Sequence, residues 1–165
     1  MSAVQQTLAA TCLALASALS SGPALCGPLG QTRLARTDIA SLAKSSAGPG
    51  TSGINAIRTT VLSGNPGEVG PYTIALQVPA GTTIAAHTHR DDRTVVVVSG
   101  TWWFGYGPLN ERSGLKRLPA GSFYTEPAGQ PHFARTGRDP AVVFITGNGP
   151  SDTQYAHAGT DPQRR

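Results

Sequence analysis

Four histidines occur in the 165-residue chain, and three of them stand beside turn residues in its most β-rich part. His87-Thr88-His89 places two imidazoles at i and i+2, which on a strand means one face. Two imidazole nitrogens so placed can both reach a first-row metal at about 2.1 Å, whereas neighbours at i and i+1 cannot. His132 opens a further stretch directly after Pro127-Ala128-Gly129-Gln130-Pro131. Taken singly, each of these histidines is more simply a satisfied core or edge residue than a ligand. The fourth, His157, lies in a Gly- and Gln-containing tail and reads as solvent-exposed. No Ser-His-Asp signature, P-loop or dinucleotide fingerprint is present, so phosphoryl transfer and Rossmann chemistry have no support.

The elements that must carry these side chains are short and β-like. Charged residues make up 13% of the chain, about half of the roughly one quarter usual in globular domains, which excludes a charge-rich disordered chain and a coiled coil. Twenty glycines and 13 prolines punctuate it densely and favour a sandwich or barrel over a helical bundle. From Ile54 onward, β-branched and aromatic runs alternate with turns, over 54–62, 72–78, 84–89, 95–98, 101–106, 122–126, 132–136 and 141–146. They predict an antiparallel sandwich or small barrel over 54–149, with less than about a tenth helix. The unbroken run Val95–Val98 predicts a strand buried on both faces. Trp102 and Trp103 must face opposite ways, with core or interface packing favoured over lining a pocket.

The ends read differently. Thr7–Leu19 is apolar and uncharged, the length of a signal-peptide core and too short to span a membrane, and Gly22-Pro23-Ala24 offers a small-x-small cleavage site. Residues 1–24 are therefore expected to be an export signal, giving an exported or periplasmic product. Against this, residues 1–6 carry no Lys or Arg, so an Ala-rich helix in a cytoplasmic protein stays open. Cleavage would leave Cys26 as the single thiol, with no disulfide framework. Residues 25–53 read as a linker with one short helix over 34–44, and 150–165 as a loosely ordered tail. The net charge is +4, with 11 Arg against 2 Lys. No basic run interleaves with aromatics, which argues against a nucleic-acid binder.

The turn residues around the histidines raise the metal reading. Gly81, five residues, His87, one residue, His89 and then Gly100 eleven residues on follow the spacing of the first cupin motif. Gly121, five residues, Pro127-Ala128-Gly129, two residues and His132 follow the second. The chain thus resembles the cupin superfamily. The resemblance implies a double-stranded β-helix, a jelly-roll barrel, holding a divalent transition metal (Fe, Mn, Ni or Zn) inside. Carried over by position, His87, His89 and His132 are the implied ligands.

Two positions depart from that pattern. The usual Glu four residues after the second His is Arg93 here, and guanidinium cannot coordinate. The usual Asn at the end of the second motif is Thr136. Three histidines with open positions would resemble three-His cupin dioxygenases. Alternatively Glu126 supplies a fourth ligand, because cupins commonly carry an inward residue just before this proline. It reads equally as a rim residue paired with Arg93 or Arg135. Arg93 in turn is expected inside the barrel, paired with Glu126 or Asp92, or else turned outward to solvent. Loss of the metal, with the histidines kept for packing, also stays open.

The expected function is a metal-dependent enzyme, of dioxygenase or isomerase type, acting on a small organic molecule that includes carboxylate-bearing ones. Glu126 and Arg93 are its candidate catalytic residues. The alternative is a non-catalytic or sensory cupin that binds metal or ligand without turnover. The sheet edges and an exposed Trp favour a homodimer.

Overall fold

The computed structural model describes residues 30–164, so the export-signal reading of residues 1–24 lies outside the described residues. A short helix α1 (Arg36–Ser41) precedes ten strands: β1 (Arg58–Ser63), β2 (Gly70–Val78), β3 (Thr83–Thr88), β4 (Arg93–Ser99), β5 (Thr101–Tyr106), β6 (Lys116–Pro119), β7 (Phe123–Glu126), β8 (His132–Thr136), β9 (Ala141–Gly149) and β10 (Gln154–Tyr155). They form two five-stranded antiparallel sheets, in the orders β1-β2-β9-β4-β7 and β10-β3-β8-β5-β6. The mixing of distant strands within each sheet is the jelly-roll arrangement that the motif spacing implied. The helix predicted over 34–44 is confined to 36–41.

Turn chemistry explains much of the strand order. The tripeptide Pro-Ala-Gly occurs at 79–81, 119–121 and 127–129, before β3, β7 and β8. Its glycine has φ of 68°, 86° and 68° in the three places, left-handed values that a side chain would strain. Between the sheets lies one core built from alternate residues, including Ile74 and Leu76 of β2, Val95 and Val97 of β4, and Trp102 and Phe104 of β5. Full burial of each Val or Ile contributes about 1.5–3 kcal/mol.

Three readings of the sequence are corrected. Val95 and Val97 are fully buried, but Val96 and Val98 are 43% and 42% exposed, so β4 has a wet outer face. β-branched residues suit a strand on either face, and a run of valines therefore conceals an ordinary alternation. The tail is not loose: β10 pairs with β3, and Ser151 is buried. Nor is the segment before 54 only a tether. Ser45 bridges Thr59, and Thr51 and Ser52 are buried. The two segments clasp each other through Thr153 Oγ1–H to the Thr51 carbonyl (2.7 Å) and Tyr155 O–H to the Ser52 carbonyl (2.6 Å). Strands β6 and β10 had no expected counterpart, being four and two residues long.

Candidate metal centre

The first histidine pair owes its aim to a bulge. Ile84 pairs with Ala134 and His87 with His132, so three steps along β3 match two along β8. The extra residue lets Ile84 and His87 face the interior together, although their spacing would put them on opposite faces of a regular strand. The Asn110 side chain stabilises the bulge by accepting Ala86 N–H at 2.7 Å, and the Ala86 carbonyl accepts Ala156 N–H from the tail. Asn110 carries no motif signal, and nothing in the sequence pointed to it.

His87, His89 and His132 are buried together, and their possible ligand atoms lie within 4.8 Å of one another. Each ring commits its Nδ1 to a backbone carbonyl: Ala85 (2.7 Å) for His87, Asp152 (2.5 Å) for His89 and Gln130 (3.0 Å) for His132. A carbonyl only accepts, so Nδ1 carries the proton and Nε2 keeps its lone pair in all three. His132 Nε2 is buried without a hydrogen-bond partner. Burial holds all three imidazoles below the ordinary histidine range, His87 down to about 3, and therefore neutral.

Arg93 and Glu126 complete the floor. They are directly opposed in the β4–β7 register, and both point inward. Arg93 Nε–H donates to Glu126 Oε2 at 2.6 Å, a second N–H pairs with the same oxygen, and a third reaches the Gly50 carbonyl at 3.0 Å. It also donates to His89 Nε2 in a short contact. The outward position for Arg93 is thus overturned, and its partner is Glu126. Asp92 instead accepts Ala128 N–H, while Asp91 accepts from Tyr72 and Ser151. Burial pushes the Glu126 carboxyl up, but the Arg93 guanidinium outweighs it and holds it below the carboxylate range.

Glu126 lies 3.9 Å from His89 Nε2 and 3.7 Å from His132 Nε2, beside the three lone pairs. It is not an exposed rim residue and does not pair with Arg135. Two further side chains line the cavity. Trp102 Nε1–H donates to Tyr124 Oη at 2.9 Å, and Tyr124 faces the same way as Glu126, two residues along β7. Tyr124 escaped the sequence reading because no motif marks it; the i, i+2 relation to Glu126 was its one signal.

The residues fit a divalent first-row metal. The donor set is three neutral imidazoles and one carboxylate, each Nδ1 is anchored as outer partners of ligating histidines are, and one buried Nε2 has no other partner. The ligand atoms lie within 4.8 Å of one another, wider than the about 3–4 Å that bonds near 2.1 Å impose, and an Arg93 N–H stands against His89 Nε2. The cavity itself has a volume of about 20 Å³, room for one ion or one water.

Comparison with known proteins adds the family of the fold. No family model and no curated protein matches the chain. An RmlC-like cupin from Shewanella frigidimarina superposes with a TM-score of 0.53 and 16% identity, over 73% of this chain and 92% of that one. The fold is that of the cupins. The polyketide cyclase RemF from Streptomyces resistomycificus matches this cupin barrel with a TM-score of 0.62 at 17% identity, covering 81% and 90% of the two chains. The DMSP lyase DddQ from Ruegeria pomeroyi matches at 0.53 and 21%, over 67% of this chain and 58% of the lyase. At these identities the common ground is the barrel.

Proposed function

We propose that this cupin barrel binds a divalent first-row transition metal through His87, His89 and His132, and acts on a small organic molecule as a dioxygenase or isomerase. The observation that supports this most is the set of three buried Nε2 lone pairs whose Nδ1 partners are all fixed by carbonyls. Two of its structural neighbours are named as enzymes, a polyketide cyclase and a DMSP lyase, which supports the use of such a barrel for catalysis. When bound, the metal supplies Lewis acidity or, as iron, a site for O₂ chemistry.

The chain's own residues would then divide the work. Glu126, ionised, accepts a proton at Oε1, the oxygen free of Arg93, or joins the ligands. Arg93 presents a fixed guanidinium to a carboxylate or enolate group of the substrate. Leu76, Ile84 and Ile145 exclude water around them. Substrate entry requires more room than this cavity, which holds no more than an ion. Gly50 and Ser52, which line it beside the clasp to Thr153–Tyr155, are the segment proposed to move. So small a cavity favours a second reading, a cupin that holds metal or ligand without turnover.

Metal analysis of protein purified without chelator, followed by O₂ uptake on a panel of small carboxylates, separates the readings. Iron with substrate-dependent O₂ consumption supports the enzyme. Zinc with no turnover supports the binder, and absence of any transition metal after reconstitution rejects the enzyme and leaves the binder only an organic ligand. Export and a homodimer belong to the same proposal, tested by intact mass of secreted material and by sedimentation.

A further inference from the structure

The outward neighbour of Trp102 faces a different chemistry. The register of β5 sets Trp103 between Arg117 of β6 and Arg135 of β8 on the outer face of the second sheet. Trp103, Arg112, Leu115, Arg135 and Gly137 line an open cavity there of about 280 Å³. Leu115 and the indole give it apolar walls, and Gly137 leaves bare backbone against Trp103 Nε1, where even an added Cβ would stand 3.6 Å away.

What the lining lacks is an acceptor. No carboxylate lines the cavity, and among the described residues neither Arg112 nor Arg135 forms an ion pair. Among the described residues the Arg135 side chain makes only a long Nε–H contact of 3.4 Å to the Thr136 carbonyl, and Trp103 Nε1–H has no partner. Two arginines without ion pairs and an indole N–H therefore border one mostly apolar space.

We propose that this is a second small-molecule site, taking a flat carboxylate of about one aromatic ring. The carboxylate would sit between the guanidinium groups of Arg112 and Arg135, a geometry that charge-assisted forks favour. The ring would lie on Trp103 and Leu115. Inorganic phosphate satisfies the arginines but leaves the apolar walls uncovered, and the volume of about 280 Å³, just below the roughly 300–1,000 Å³ of ligand pockets, suits a small molecule.

The test is a titration of the full chain with benzoate, followed by tryptophan fluorescence and calorimetry. Benzoate should saturate below about 10 mM, with benzyl alcohol and phosphate each at least about tenfold weaker. Arg112→Gln and Arg135→Gln should each weaken benzoate about fivefold, the scale of one exposed charge-assisted contact, while leaving metal content unchanged. Binding must persist in chelator-stripped protein. Unchanged affinity in both variants, or loss of binding with the metal, overturns the site, the latter by moving benzoate into the barrel. Salt-sensitive capture of a single-stranded oligonucleotide in place of benzoate overturns it in favour of a nucleic-acid surface.

Discussion

The two faces of β5 look onto two cavities of opposite chemistry. Inside, Trp102 is satisfied by Tyr124, and the other polar lining atoms are acceptors, three imidazole Nε2 atoms and a carboxylate, of which His132 Nε2 has no partner. Outside, Trp103 is unsatisfied, and the surplus consists of donors with no acceptor. The inner cavity holds about 20 Å³ and the outer, more open one about 280 Å³. On the proposals above, each cavity would take the missing half of its hydrogen-bond inventory, a cation within the barrel and an anion on its surface. Arg93 is the instructive exception, a cation already among the inner lone pairs. There it is held by Glu126, and His132 Nε2 is left without a hydrogen-bond partner.

The largest expected effect breaks the inner balance. Arg93→Gln leaves Glu126 buried and unpaired, and chemical denaturation should show a loss of about 3–5 kcal/mol. Adding Glu126→Gln should recover part of that loss, since the two residues are in contact and their effects are not additive. Additive losses in the double variant would show that the pair is not coupled.

Next, His132→Ala should weaken metal binding at least about a hundredfold, some 2.7 kcal/mol, measured by competition with a chromogenic chelator. Retention of full metal affinity in this variant and in His87→Ala would remove the inner site. The outer titration with benzoate should be unaffected by either.

Acid should separate the cavities as well. His87 is pushed down to about 3 by burial, so the folded metal-free protein keeps it neutral while the unfolded chain protonates near 6.5. Its stabilising contribution is present above the unfolded value and is lost as pH falls from about 6.5 towards 3. At pH 5 this amounts to about 2 kcal/mol for His87 alone, visible as a falling midpoint in denaturant. The guanidinium groups outside stay charged throughout, so benzoate affinity should be flat between about pH 8 and 5.5, above the range in which the ligand itself protonates. A pH-independent denaturation midpoint would show that the imidazoles are not held neutral.

The smallest effect concerns the clasp over the inner cavity. Tyr155→Phe removes one hydrogen bond, about 0.5–1.5 kcal/mol, and should speed chelator removal of metal by up to about tenfold. An unchanged rate would place the route to the metal elsewhere.

Much of this was legible in the residue order. The turn residues and apolar runs indicated an antiparallel sandwich or small barrel and the shared face of His87 and His89, while the inward aim of all three imidazoles was what the cupin resemblance implied. Where the order misled, a local pattern had two tertiary solutions. Four successive valines fit a strand buried on both faces or on one, and only the packing of β4 left Val96 and Val98 wet. The tail lacked any periodic signal because its order comes from single contacts, Thr153 and Tyr155 to Thr51 and Ser52, a hundred residues away in sequence.

The sequence by itself therefore determined the strand-and-turn plan, the shared face of His87 and His89, and the exclusion of a coordinating side chain at position 93. These follow from backbone geometry and from the chemistry of single residue types. The tertiary structure alone decided that a bulge re-aims His87, that Arg93 pairs with Glu126 across β4 and β7, and that Arg112, Trp103 and Arg135 meet on one surface. Each of these depends on register between strands far apart in the chain, and register is set by the burial of whole faces, which no local spacing encodes.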